Sequence, residues 1–98
     1  MEIDKKEKVV TDHEMVVDGV TLRDKRELIT ETRDGQQEGN SVLVHTRSIG
    51  NQVYKVTKTM EDGVEMETKV NTEMSLDEIR KFELMWAEKW NPEMATLA

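Results

Sequence analysis

Apolar and β-branched residues alternate with polar ones over most of this chain, and short glycine-bearing polar pairs interrupt the alternation. Asp18-Gly19, Gly50-Asn51 and Asp62-Gly63 are pairs of the kind that supply positive φ in two-residue hairpin turns. Between them lie four stretches rich in Val, Thr and Ile, with a weaker one at the start. A longer polar loop, RDGQQEGNS, occupies residues 33–41. The pattern predicts about five antiparallel strands, each beside the next.

Register follows from the turns. With Gly50-Asn51 as a two-residue turn, Ile49 pairs with Gln52, Arg47 with Tyr54, Val44 with Thr57 and Val42 with Thr59. With Asp62-Gly63 treated alike, Thr59 faces Met66, Thr57 faces Thr68 and Lys55 faces Val70. Side chains alternate with period two, so one face carries Val42, Val44, Thr46, Val53, Thr57, Thr59, Val64, Met66, Thr68 and Val70. The other face carries His45, Arg47, Lys58, Glu65, Glu67 and Lys69, with Leu43, Tyr54 and Val56 among them, and sets Lys58 opposite Glu67. Around Asp18-Gly19, Val17 meets Val20, Met15 meets Leu22, Glu14 meets Arg23 and Asp12 meets Lys25. The charged run Asp24-Lys25-Arg26 predicts a bulge or bend before the second strand resumes.

From residue 75 the period changes. Ser75 and Glu78 form a capping box, and Asp77 and Glu78 suit the positive end of a helix dipole. Asp77 precedes Lys81 by four, a favourable acid-before-base spacing. Leu76, Ile79, Phe82, Met85, Trp86 and Trp90 recur at spacings of three and four and make one apolar stripe. Pro92 disfavours helical geometry at Asn91, so the helix should stop near Trp90. Three of the four aromatic residues sit in this segment. Because Val and Thr are too small to fill a core alone, the helix is expected to lie on the Val/Thr face as its lid, with Met66, Met74 and Met85 filling gaps. The reading is an α+β fold: an antiparallel β-meander of about five strands with one C-terminal helix packed on its Val/Thr face.

Composition narrows the function. Ninety-eight residues make one domain: a charged segment at 1–12 that need not be ordered, the meander plus helix at 13–92, and a tail at 93–98. Charged residues reach 36% and apolar ones 36%, so the core is modest. The net charge is −7, and the one basic run, Lys5, Lys6 and Lys8, is interrupted by Glu7. Nucleic acid and anionic membranes are therefore not expected partners. With no cysteine, disulfides, thiolate metal sites and cysteine nucleophiles are excluded. No apolar run has signal-peptide or membrane-spanning length, which points to an intracellular protein.

Chemistry-bearing patterns are sparse. His13 and His45 lack zinc-ligand spacing, and His45 reads as a half-exposed strand residue. Glu65, Glu67 and Glu73 alternate along one strand and read as a solvated face, and neither Ser41 nor Ser48 sits in a nucleophile elbow. No catalytic residue, cofactor or metal site is expected.

The order of short motifs carries a resemblance. ETRDG at 31–35, RSIGNQVYKVTK at 47–58, and TEMSLDE leading to Phe82 and Trp86 are similar to the conserved region of the myeloid leukemia factor family, and a weaker form marks a related group of apoptosis-linked proteins. In that family an Arg-Asp…Gly turn precedes an Arg-x-Leu/Ile-Gly-Asp/Asn turn, and Leu-Asp-Glu leads to a Phe and a Trp four residues apart. The corresponding positions are Arg33, Asp34 and Gly35; Arg47, Ile49, Gly50 and Asn51; Leu76, Asp77 and Glu78; and Phe82 and Trp86. The match covers residues 27–92. The family's Arg-Ser-x-Ser-x-Pro motif for 14-3-3 adaptors is not completed after Arg47-Ser48, so that partner is not carried over. The resemblance implies a non-catalytic regulatory adaptor of cytoplasm and nucleus, linked to transcription, cell-cycle or survival control.

The leading expectation is thus a protein-interaction module, monomeric or homodimeric. Its candidate protein-binding residues are Leu43, Tyr54, Val56 and Arg47, apolar anchors inside a ring of charge on the mixed face, together with Trp90 at the helix end. The alternative is a binder of a small apolar ligand or lipid, enclosed between the Val/Thr sheet and the aromatic helix.

Overall fold

The computed structural model describes residues 3–33 and 39–98. Strands β1 (Ile3–Val17), β2 (Val20–Arg33), β3 (Asn40–Ile49), β4 (Gln52–Glu61) and β5 (Val64–Asn71) are followed by helix α1 (Leu76–Lys89) and a two-residue strand β6 (Thr96–Leu97). They form one antiparallel sheet in the order β5-β4-β3-β2-β1-β6. The α+β meander with a C-terminal helix is as the pattern predicts. Most of the 33–41 loop, including Asp34 and Gly35 of the resemblance, lies outside the described residues.

All three short turns are present. Asp18 and Gly19, and Asp62 and Gly63, both have positive φ, the geometry of type I′ turns. Gly50 alone has positive φ at the third, as in type II′. Residues 3–12 do not lie apart from the domain, because they continue β1 alongside β2. The tail joins the sheet as well: Thr96 and Leu97 pair with Glu14 and His13.

The expected registers hold for the first hairpin and for β3 with β4, where Val44 faces Thr57 and Arg47 faces Tyr54. No bulge occurs at 24–26, since Asp24, Lys25 and Arg26 pair continuously with His13, Asp12 and Thr11. The irregularity lies in β5 instead. Met60 pairs with Glu65 but Thr59 pairs with Glu67, which leaves Met66 as an extra, 59% exposed residue. Beyond it every side chain changes face. Thr57 faces Lys69 rather than Thr68, and Lys58 faces Thr68 rather than Glu67.

The helix lies on the face opposite to the expected one. The buried core is Leu22, Ile49 and Phe82, packed with Met15, Val17, Tyr54, Met74, Trp86 and Trp90. Leu22 pairs with both Met15 and Ile49, so these share the face of Arg47 and Tyr54, and the Val/Thr face is open. The reason is visible one strand further on. The Val/Thr face runs into Arg23, Lys25, Glu27 and Glu31 on β2, which a helix would have to desolvate. The mixed face runs into Leu22 and Met15, large apolar side chains near the turn end. Met85 is exposed and does not fill the core, whereas Met74 packs against it.

Local signals set the helix ends as expected. Ser75 and Glu78 complete the capping box, Asp77 and Lys81 lie 3.3 Å apart, and Trp90 ends the helix in an extended conformation. The Thr72 hydroxyl donates to the Val53 carbonyl at 2.7 Å and accepts from the Met74 N–H at 3.2 Å, which turns the chain from β5 onto the sheet. Lys89 reaches Asp18 at 3.4 Å and ties the far end of α1 to the first hairpin.

Candidate functional site

Four aromatic rings stack in a row from sheet to helix end. Tyr54 lies 5.9 Å from Phe82, Phe82 6.0 Å from Trp86, and Trp86 4.7 Å from Trp90, all within 22° of parallel. Helical spacing of four puts Phe82, Trp86 and Trp90 one above the next, so the row follows from their sequence positions. Arg47 caps it from β3: its guanidinium carbon is 5.3 Å from the Tyr54 ring, 5.5 Å from Phe82 and 5.3 Å from Trp86. Its side chain is 15% exposed and pairs with Glu83 on α1. A planar, weakly hydrated cation suits this position better than an ammonium would.

Beside the row lies a polar cluster. Asp24, buried on β2, accepts from Arg26 Nε at 3.3 Å and sits 3.1 Å from His45 Nε2. His13 and Arg47 are its cross-strand neighbours. Trp90 and Pro92 line an open groove of about 250 Å³ with Thr11, His13, Asp24 and Arg26. The sequence pattern marked Asp24 only as part of a charged run at a bend, although its parity with Leu22 was the signal for burial. Among the described residues no group of three His, Asp or Glu is disposed to hold a metal ion.

The aromatic row occupies one end of its face only. Helix α1 crosses the strands near their turn end, from Tyr54 on β4 to Met15 and Asp18 at the first hairpin, while the molecule extends 51 Å along its longest axis. Past α1 the sheet continues as a shelf that is uncovered among the described residues. Val9, Leu28 and Leu43 pair in a row across β1, β2 and β3, and Val56 pairs with Val70 one row nearer the helix. Val9 is 56% and Val70 54% exposed, and Leu43 and Val56 are half-buried outside the packed core.

The sequence-derived candidates therefore separate. Arg47 and Tyr54 lie beneath α1 as part of the packing, because the helix chose their face. Trp90 is half-buried, stacked on Trp86 and lining the Asp24 groove. Leu43 and Val56 stand on the shelf, joined by Leu28, Val9 and Val70, which only the full register brings together. The Val/Thr face and α1 lie on opposite sides of the sheet and enclose no cavity between them. A second groove, about 530 Å³, opens at the β4–β5 end between Lys55, Asn71, Glu73 and Glu78, with Val53 and Met74 adding apolar surface to its lining. Comparison with family models, with curated proteins and with solved structures finds no match.

Proposed function

We propose that this chain is a non-enzymatic protein-interaction module of the myeloid leukemia factor type, a regulatory adaptor of cytoplasm and nucleus. The observation that carries the reading is the shelf: an apolar row, Val9, Leu28, Leu43, with Val56 and Val70 beside it, beyond the strip of sheet that α1 crosses and uncovered among the described residues. Contiguous exposed apolar surface rimmed by charge is the mark of a docking site. A partner's amphipathic helix, laid beside α1, would complete the helical layer over the sheet.

The resemblance gains support from contact between its separate motifs. Arg47 of the Arg-x-Ile-Gly-Asn segment stacks on Phe82 and Trp86 of the helical segment. Residues far apart in sequence that must fit one another give a reason for such motifs to occur together.

The test is a photo-crosslinking residue at position 43 in a cell extract, which should tag a defined protein through an apolar helical segment. The double variant Leu43→Ser with Val56→Ser should unfold cooperatively yet lose that protein. Undiminished capture of the same partner would mean that docking lies elsewhere.

A further inference from the structure

The face opposite α1 carries charges whose sign reverses along each charged strand. From the turn end, β1 presents Glu14, Asp12, Val10, Lys8 and Lys6: two acids, a neutral residue and two bases. Strand β2 presents Arg23 and Lys25, then Glu27, Ile29 and Glu31. On β4, Lys55 and Glu61 bracket Thr57 and Thr59, and on β5 Lys69 is followed by Glu67. Between them β3 shows Thr46, Val44 and Val42, which carry no charge.

Within one sheet, opposite signs are needed only between neighbouring strands, and those pairs exist: Arg23 with Asp12, Lys8 with Glu27 at 3.3 Å, Lys6 with Glu31 at 3.8 Å. Reversal along a strand adds nothing to them. It has a use when the same face meets itself turned end for end. We propose that this open face is the interface of a homodimer: two copies pack sheet on sheet with strands antiparallel, about a two-fold axis crossing β3 between Val42 and Val44.

In that register Lys55 lies over the second copy's Glu61, Lys25 over Glu31, Lys69 over Glu67 and Asp12 over Lys6. The neutral Val and Thr residues of β3 and β4 meet at the centre. The other face-to-face two-fold, along β3, would set Lys55 over Lys25 and Glu61 over Glu31, like charge on like. A two-fold interface must be self-complementary, and the antiparallel arrangement makes four kinds of opposite-charge pair where the other makes one, Glu67 over Lys8, against two like-charge pairs. Five strands about 4.8 Å apart and nine residues at about 3.3 Å each offer on the order of 700 Å² per copy. Stable interfaces take about 800 Å² per partner, so the area is near that standard size. Aligned sheets pack in this way in β-sandwiches.

Sedimentation equilibrium at low salt should find a dimer that weakens as salt is added, because rim charges are screened. Lys55→Glu and Glu61→Lys should each weaken self-association at least tenfold. Mixed in equal amounts they should form a heterodimer close to wild type, since every glutamate then meets a lysine at these sites. The double swap Lys55→Glu/Glu61→Lys should self-associate as wild type does. Both positions are exposed, so unfolding midpoints of the separated chains should match. A wild-type chain that stays monomeric, single variants that dimerise normally, or a mixture no tighter than its components would each overturn the proposal. The shelf lies on the other face, so Leu43→Ser/Val56→Ser should leave the dimer intact even while losing its protein partner.

Discussion

The guanidinium of Arg47 lies 5.3 Å from the Trp86 ring and its charge meets Glu83, one residue after Phe82. One strand residue thus contacts both the apolar and the charged side of α1. Because the guanidinium plane and stem cover aromatic surface, Arg47→Ala should destabilise the fold by about 2 kcal/mol, with Arg47→Lys intermediate. Glu83 is half exposed, and Glu83→Gln should cost well under about 1 kcal/mol. Urea unfolding of the three variants separates packing from ion pairing. Equal losses for Arg47→Ala and Glu83→Gln would assign the energy to the ion pair.

Trp86 joins Phe82 to Trp90 in the aromatic row, and few other large side chains reach the core. Trp86→Ala should cost about 3–5 kcal/mol, enough to unfold a domain of this size at ambient temperature. Glu65→Ala on exposed β5 should change stability by less than about 0.5 kcal/mol. The two are compared by thermal unfolding followed by circular dichroism.

Deleting Met66 should be tolerated. It is the unpaired residue of the β4–β5 ladder, so its removal lets Glu65 and Glu67 follow one another opposite Met60 and Thr59. Deleting Val70, which is paired with Val56, should shift the last part of the strand and unsettle the path into α1. Cross-strand proton contacts between Thr57 and Lys69 in the Met66 deletion are the measurement. Their loss would show that the extra residue is needed.

Gly39 leaves no room for a side chain. A Cβ there would overlap the Glu31 carbonyl oxygen, and backbone cannot yield as a flexible side chain would. Gly39→Ala should therefore cost more than Gly19→Ala, whose Cβ meets open space and which bears only the strain of φ +77°. Denaturation midpoints rank the two, and the reverse order would contradict the backbone path at Gly39.

Acid should weaken the first hairpin in a definite window. Arg23 hydrogen-bonds Asp12 and holds its carboxyl below the ordinary value of 3.8. A lowered folded-state value means that the contribution is complete above the unfolded value. It is lost as pH falls from about 4 through the folded one. Asp12→Asn should flatten the stability profile in that range and leave its slope at neutral pH unchanged. An unaltered acid limb would show that the pair does not couple to folding.

The hairpins, the positions of their two-residue turns, the β3–β4 register and the capped helix were all legible in the sequence, because each depends on residues a few positions apart. Asp-Gly and Gly-Asn pairs set backbone φ, and Ser75 with Glu78 set a helix start. The Met66 bulge was not legible, since a bulge leaves the alternation intact on either side and only the partner strand reveals the extra residue. The face α1 covers was also out of reach of strand-by-strand parity. Parity sorts side chains into two faces but does not rank them. The choice rests on what lies across strands: Leu22 and Met15 beside Ile49 on one side, Arg23 and Lys25 beside Ser48 and Thr46 on the other. That choice packed Arg47 and Tyr54 beneath α1, left Leu43 and Val56 on the shelf, and exposed the charge-reversed Val/Thr face. Burial is a property of the assembled sheet, and desolvating a charged row costs more than leaving Val and Thr in water.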